Sequence, residues 1–277
     1  MNGAANGGKG GDSMRDKAKK KNSGWRGWYL LLPLALFLAG LLLLLYPSLS
    51  NWQYDEGVEE QKTQFEQQLE EEASRVTDAA KKEKKPQPEL PFEELYQELS
   101  RRNAELYENH QEGLTDPWAY EQPGIDLTEY GLEGNTIGFL SIPKMELELP
   151  ILLGASRENM ALGAVHLTQT SYPIGGENTN CVIAAHRGYS GAAMFRDIEK
   201  LELGDEIYIE NFRETLAYKV AEIRVIDPTD IGQVLIQEGR DLVTLVTCHP
   251  YRHNYQRYVV FCERVLPETE TRAQRAR

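Results

Sequence analysis

Asp241-Leu-Val-Thr-Leu-Val-Thr-Cys248-His249-Pro250-Tyr251 reads as a buried strand that ends at a cysteine. The run of apolar and β-branched residues favours a strand, and Pro250 stops it with a turn. A cysteine at a strand end, facing a turn, has its sulfur partly exposed and its pKa open to control by neighbours. Its partners lie on two other segments. Cys181-Val-Ile-Ala-Ala-His186-Arg-Gly188 reads as a strand ending in a histidine, and Arg257-Tyr-Val-Val-Phe-Cys262 as a strand opening on an arginine. A nucleophile, a proton carrier and a cationic oxyanion stabiliser are enough for acyl transfer. The order histidine, cysteine, arginine departs from papain-like proteases, whose nucleophile precedes the histidine.

Outward from these segments the pattern is β. Strands are expected at Ile137–Ile142, Leu147–Leu152, Ala164–Leu167, Cys181–His186, Glu206–Glu210, Leu216–Ile226, Leu242–Thr247 and Tyr258–Val265. Turn residues separate them: Pro143, Gly154, Gly175-Gly176, Gly188, Gly204, Asp227-Pro228 and Pro250. Short strands punctuated in this way fit a closed or nearly closed antiparallel barrel. Arg157–Leu162 and Ala192–Leu201 read as short helical inserts. Upstream, Val58, Phe65, Leu69, Ala73, Val76 and Ala80 recur at helical spacing on an acidic background. The segment Lys81–Pro91 breaks that helix, and a second follows with Phe92, Leu95, Tyr96, Leu99, Leu106 and Tyr107 on one face. The two helices are expected to pack on the barrel or to hold it off a membrane.

Charge is unevenly placed along the chain. Residues 1–50 hold seven Lys/Arg against two Asp/Glu, so the formal net charge of −13 leaves −18 for the remainder. No charged side chain lies between Gly27 and Tyr54. Trp28–Tyr46 is almost wholly apolar and as a helix spans about 28 Å, enough to cross a bilayer. The apolar core is too long for a cleaved signal peptide, and Tyr46-Pro47-Ser-Leu is a poor cleavage site. Lys17, Lys19, Lys20, Lys21 and Arg26 favour keeping that end in the cytoplasm. The segment therefore reads as a single-pass signal anchor with the catalytic part outside.

Three cysteines are an odd number, so at least one is free or pairs with another chain. Alternation sets Cys181 and Cys262 on the faces opposite His186 and Arg257, which makes them small buried hydrophobes. Cys248-His249-Pro-Tyr-Arg-His253 invites a zinc reading, but a structural site needs four ligands and no second cluster is evident. No metal, other cofactor or nucleic-acid partner is expected. His249 and His253 read as solvent-facing turn residues, with tuning of the thiolate or of the acceptor site as the alternative.

Thr-Leu-Val-Thr-Cys248 with Arg257 behind it and Ala-Ala-His186 upstream resembles the signature of the sortases, membrane-anchored cysteine transpeptidases of Gram-positive surfaces. Three more segments resemble the class C, pilus-assembling members: Thr115-Asp116-Pro117-Trp118, Leu45–Asn51, and Thr170–Thr179. The chain departs from that class at His249, where threonine is frequent, and in the polar Thr269–Arg277, where many members carry a second membrane helix. The resemblance implies a mainly β fold, an eight-stranded sortase barrel with short helices behind N-terminal helices and one transmembrane helix. It implies Cys248 as nucleophile, His186 as general acid/base and Arg257 as oxyanion or substrate stabiliser. It also implies a lid in which Asp116 pairs with Arg257 and Trp118 covers the groove. The expected order is a basic cytoplasmic tail (1–27), anchor (28–46), helical stalk (47–112), lid loop (113–124), catalytic barrel (125–268) and polar tail (269–277). The implied substrates are proteins with C-terminal LPxTG-like sorting signals, and the acyl acceptor is a pilin lysine or a cell-wall precursor amine. A catalytically idle, membrane-tethered scaffold is the alternative from another class.

Overall fold

The structure, a computed structural model, describes residues 25–83, 90–112, 114 and 121–266, and the side chains of all these but 25–30, 47 and 83. The expected lid residues Asp116 and Trp118, and the tail beyond Leu266, lie outside the described residues. The chain divides into two compact units after Pro47. What is described of the first is the apolar start of helix α1 (Trp25–Glu83), whose leucines from Leu31 to Leu45 are exposed. This helix is long and apolar enough to cross a membrane by length and composition. It continues past Pro47, since a proline removes one helical hydrogen bond without ending every helix that contains it.

In the second unit eight strands close into a barrel: β1 (Thr136–Ile142), β2 (Leu147–Leu153), β3 (Ala164–His166), β4 (Thr179–Ala184), β5 (Glu206–Asn211), β6 (Thr215–Ile226), β7 (Asp241–His249) and β8 (Gln256–Arg264). Their order around the barrel is β1-β2-β3-β4-β7-β8-β6-β5. Two pairings, β2 with β3 and β4 with β7, are parallel, so the expected all-antiparallel barrel is corrected. Each parallel pair is joined by a crossover, as parallel neighbours require. The first crossover carries the expected short helix α3 (Arg157–Leu162).

The strand that ends at Cys248 is buried on both faces, which explains its unbroken apolar run. Val243 and Leu245 enter the main core with Ile183, Val260 and Cys262. Val246 turns the other way, into a second apolar cluster with Leu152, Leu167, Val182, Val234, Val259 and Phe261. By alternation Cys248 and Arg257 project on the face of that second cluster. Cys181 and Cys262 are buried in the main core, and burial pushes both thiols far above the ordinary cysteine range.

The N-terminal helices pack on the barrel. From α1, Val58 and Phe65 are buried, and the Phe65 ring meets Phe139 edge-on at 5.6 Å. Lys62 on the same helix pairs with Glu148 at 2.6 Å and Glu210 at 3.4 Å. Helix α2 (Glu93–Glu108) buries Leu95, Leu99 and Asn103. The Asn103 side chain grips the backbone of Tyr172 from both sides, accepting from its N–H at 2.7 Å and donating to its carbonyl at 3.4 Å.

His166, at the end of β3, is buried beneath Tyr172, with ring centroids 4.9 Å apart, and its Nε2 lies 3.1 Å from the carbonyls of Thr170 and Ser171. Burial lowers its pKa from 6.5 to about 4. The unfolded chain binds this proton near the ordinary value and the folded chain does not, so stability is lost as pH falls from 6.5 towards 4. The loss amounts to roughly 3 kcal/mol at most. Urea midpoints measured across that range are expected to fall more steeply in the wild type than in His166→Gln.

Candidate active site

Strand register builds the site. Cys248 and Arg257 face each other directly across the β7–β8 pair, a cross-strand arrangement that brings side chains together. On the other flank of β7, Ala184 of β4 is level with Val246 in parallel register. Thr247 ties the next step down, its hydroxyl donating to the Ala185 carbonyl at 2.7 Å. His186 follows at once, two residues beyond the last residue of β4 rather than within the strand. It sits in a connecting segment that is pinned where the N–H of Phe195 bonds the His186 carbonyl at 3.0 Å.

His186, Cys248 and Arg257 all line one cavity of about 170 Å³. Its other walls are mainly apolar, from Ala155, Met160, Leu167, Ala184 and Val246. A cavity of about 270 Å³ between α2 and the 174–179 turn holds no thiol or imidazole. Cys248 is half-buried, unlike the two core cysteines. His186 is also half-buried, and that burial lowers its pKa. Arg257 donates from Nη1 to the carbonyls of Asn254 at 2.8 Å and Gln256 at 3.1 Å, which fixes the guanidinium against the loop joining β7 to β8. Among the described residues no group of three or more His, Cys, Asp or Glu is arranged to hold a metal ion.

A family model described as the sortase domain matches residues 140–265. Sortase A of Bacillus anthracis is 31% identical over 156 residues, which make up 56% of this chain and 72% of that protein. The chain belongs to the sortase family. Among solved structures, the pilus-related sortase C of Group B Streptococcus matches with a TM-score of 0.51 at 37% identity, covering 61% of this chain and 91% of that one. Sortase C of Streptococcus pneumoniae matches with a TM-score of 0.51 at 31% identity, covering 63% and 97%. Sortases are cysteine transpeptidases that act on proteins carrying sorting signals, and this sortase is most like those of class C.

Sequence reasoning overlooked one group beside the Cys248 backbone. Arg187 is 8% exposed, and its guanidinium reaches the end of β7. It donates to Nδ1 of His249 at 2.9 Å, lies 3.5 Å from the Cys248 carbonyl, and pairs with Glu199 at 2.7 Å. Tyr258 lies under it at 5.9 Å. A buried arginine engaged on three sides locks the ends of β4 and β7 together, which holds the backbone of Cys248. His249 is therefore not the solvent-facing residue expected from the turn. His253 is exposed, as expected, with its ring 5.7 Å from that of Tyr255.

Proposed function

We propose that this sortase polymerises pilins, with Cys248, His186 and Arg257 as its catalytic residues. The observation that carries the reading is that the three line a single cavity, with Cys248 and Arg257 paired in register. The Cys248 thiolate attacks the scissile carbonyl of an LPxTG-like sorting signal, and Arg257 stabilises the resulting oxyanion. His186 protonates the departing amine as the C–N bond breaks, which leaves a thioester. A lysine amine of the next pilin attacks that thioester, His186 takes up its proton, and the thiolate leaves as the isopeptide bond forms. The likeness to a pilus-related sortase C supports a lysine acceptor. Incubating the enzyme with a sorting-motif peptide and two competing amines, a pilin domain and a cell-wall precursor peptide, tests this reading. A pilin adduct linked through a lysine is expected, and a predominance of the wall-peptide adduct would reassign the enzyme to surface-protein anchoring.

The apolar start of α1 supports a signal anchor at 28–46, behind a cytoplasmic tail at 1–27, with the barrel (125–268) outside the cell membrane. The 47–112 stalk in this arrangement packs on the barrel through Phe65 and Leu99. For the lid (113–124) the support comes from its flanks. Gln111 donates to the Gln169 carbonyl at 3.2 Å, Gln169 donates to Glu121 at 2.9 Å, and Thr168 donates to the Gln122 carbonyl at 3.0 Å. Both ends of the segment are thus tied to residues next to Leu167, which lines the cavity. With Asp116 on Arg257 and Trp118 over the thiol, the closed state shields Cys248 only by its free-energy advantage over the open one. An ion pair of this kind is worth about 1 kcal/mol, so Asp116→Ala is expected to speed Cys248 alkylation severalfold. The double variant with Trp118→Ala is expected to react faster still. Equal alkylation rates in all three proteins would remove the lid from the mechanism.

A further inference from the structure

One aromatic ring and one helix turn near the site have no part in the mechanism above. The Tyr189 ring stacks on the His186 imidazole, with centroids 4.8 Å apart and planes 17° from parallel. Tyr189 is 42% exposed, so burial in the core does not account for its orientation. What holds it is a tight turn: the N–H of Tyr189 bonds the Ala192 carbonyl at 3.0 Å, and the N–H of Ala192 returns the bond at 2.8 Å. Ser190 and Gly191 cross that turn with φ of 46° and 95°, a strained conformation for the serine. Such a turn needs outside support to persist.

The support comes from α1. Ser50 donates from its hydroxyl to the Ser190 carbonyl at 3.0 Å, and the Asn51 side-chain carbonyl accepts from the Ala193 N–H at 3.1 Å. The Asn51 amide is itself held by Asp55 at 3.2 Å. Gly191 lies so close to Ser50 that a Cβ there would collide with the serine side chain. One turn further on, Tyr54 donates to the Leu162 carbonyl at 2.9 Å, at the end of the helix whose Met160 lines the catalytic cavity. Ser50 and Asn51 follow the apolar stretch within a few residues and lie at the end of the Leu45–Asn51 segment singled out in the sequence.

We propose that Ser50, Asn51 and Tyr189 are positioning residues for His186: the two helix residues brace the 189–193 turn, and the turn presses the Tyr189 ring against the imidazole. The inference rests on His186 acting as the general acid. Its consequence is that full turnover needs the segment of chain next to the apolar stretch, and that a barrel cut after residue 51 keeps its thiol but places its imidazole poorly. Misplacing a reacting group by a fraction of an ångström lowers turnover without weakening substrate binding.

The test uses the full chain in detergent micelles, with steady-state transfer of a sorting-motif peptide to an amine. Tyr189→Ala is expected to lower kcat about tenfold with KM changed less than about twofold. Tyr189→Phe, which keeps the ring, is expected to restore kcat. Ser50→Ala/Asn51→Ala is expected to lower kcat about fivefold, and combining it with Tyr189→Ala to add little, because all three act through one ring. Lys62→Ala, which removes a different α1 contact, is the control and is expected to keep kcat. The proposal is overturned by an unchanged kcat in Ser50→Ala/Asn51→Ala, by additive losses in the triple variant, or by an equal loss in Lys62→Ala. Wild-type turnover in His186→Ala would instead overturn the general-acid assignment, which separates the two failures.

Discussion

Cys248→Ala is expected to abolish the acyl-enzyme on a sorting-motif peptide while leaving the barrel folded. Position separates this thiol from the other two. Cys181 and Cys262 are 3% and 0% exposed in the main core, and burial holds both in the protonated, unreactive form. Cys248 is half-buried at the end of β7, opposite Arg257 and beside the cavity that also holds His186. In the proposed mechanism the lost sulfur is the one that forms the thioester, and little core packing goes with it. Cys181→Ala and Cys262→Ala are expected to show the reverse pattern, with acylation kept and stability lowered by roughly 1 kcal/mol. Intact-mass spectrometry after incubation with peptide reads the first effect and urea unfolding the second. A covalent peptide adduct on Cys248→Ala would sink the mechanism. Loss of acylation in Cys181→Ala with an unchanged unfolding midpoint would move part of it to β4.

Most strands were legible because a residue with a physical reason to stop them lies just beyond their ends. Pro143 follows β1, Gly154 follows β2, and Asp227-Pro228 follows β6, and the observed bounds agree with the expected ones to within a few residues. Direction of pairing was not legible. A strand buried on both faces shows the same apolar run beside a parallel or an antiparallel neighbour, so β4 and β7 gave no local sign of being parallel. His186 and Cys248 were singled out by residue type at expected strand ends, a local signal, and the structure brings both to one cavity although His186 lies two residues beyond β4. Arg187 was missed for the opposite reason. An arginine beside a histidine looks like a surface residue until Glu199, His249 and Tyr258 close around it from three separate elements. Tyr189 escaped notice in the same way, since its stacking on His186 depends on a turn that α1 supports from more than a hundred residues upstream.

Arg257→Lys is expected to lower turnover nearly as far as Arg257→Ala, by about 10² or more, even though the charge is kept. The guanidinium does two things at once. Its Nη1 is bonded to the Asn254 and Gln256 carbonyls, which fixes the plane of the group beside Cys248. In the proposed mechanism the planar fork stabilises the oxyanion, and a point ammonium lacks that fork. His186→Ala is expected to lose about as much, because the departing amine then leaves without a proton. The two losses differ in their pH dependence. Burial lowers the His186 pKa, so the protonated acid is depleted as pH rises through that lowered value, and any step that needs it slows on the alkaline side. Arg257→Lys keeps this limb, since the imidazole is intact, while His186→Ala abolishes it. Single-turnover acylation rates from pH 5 to 9 distinguish the two outcomes. An alkaline limb that survives in His186→Ala would remove His186 as the acid.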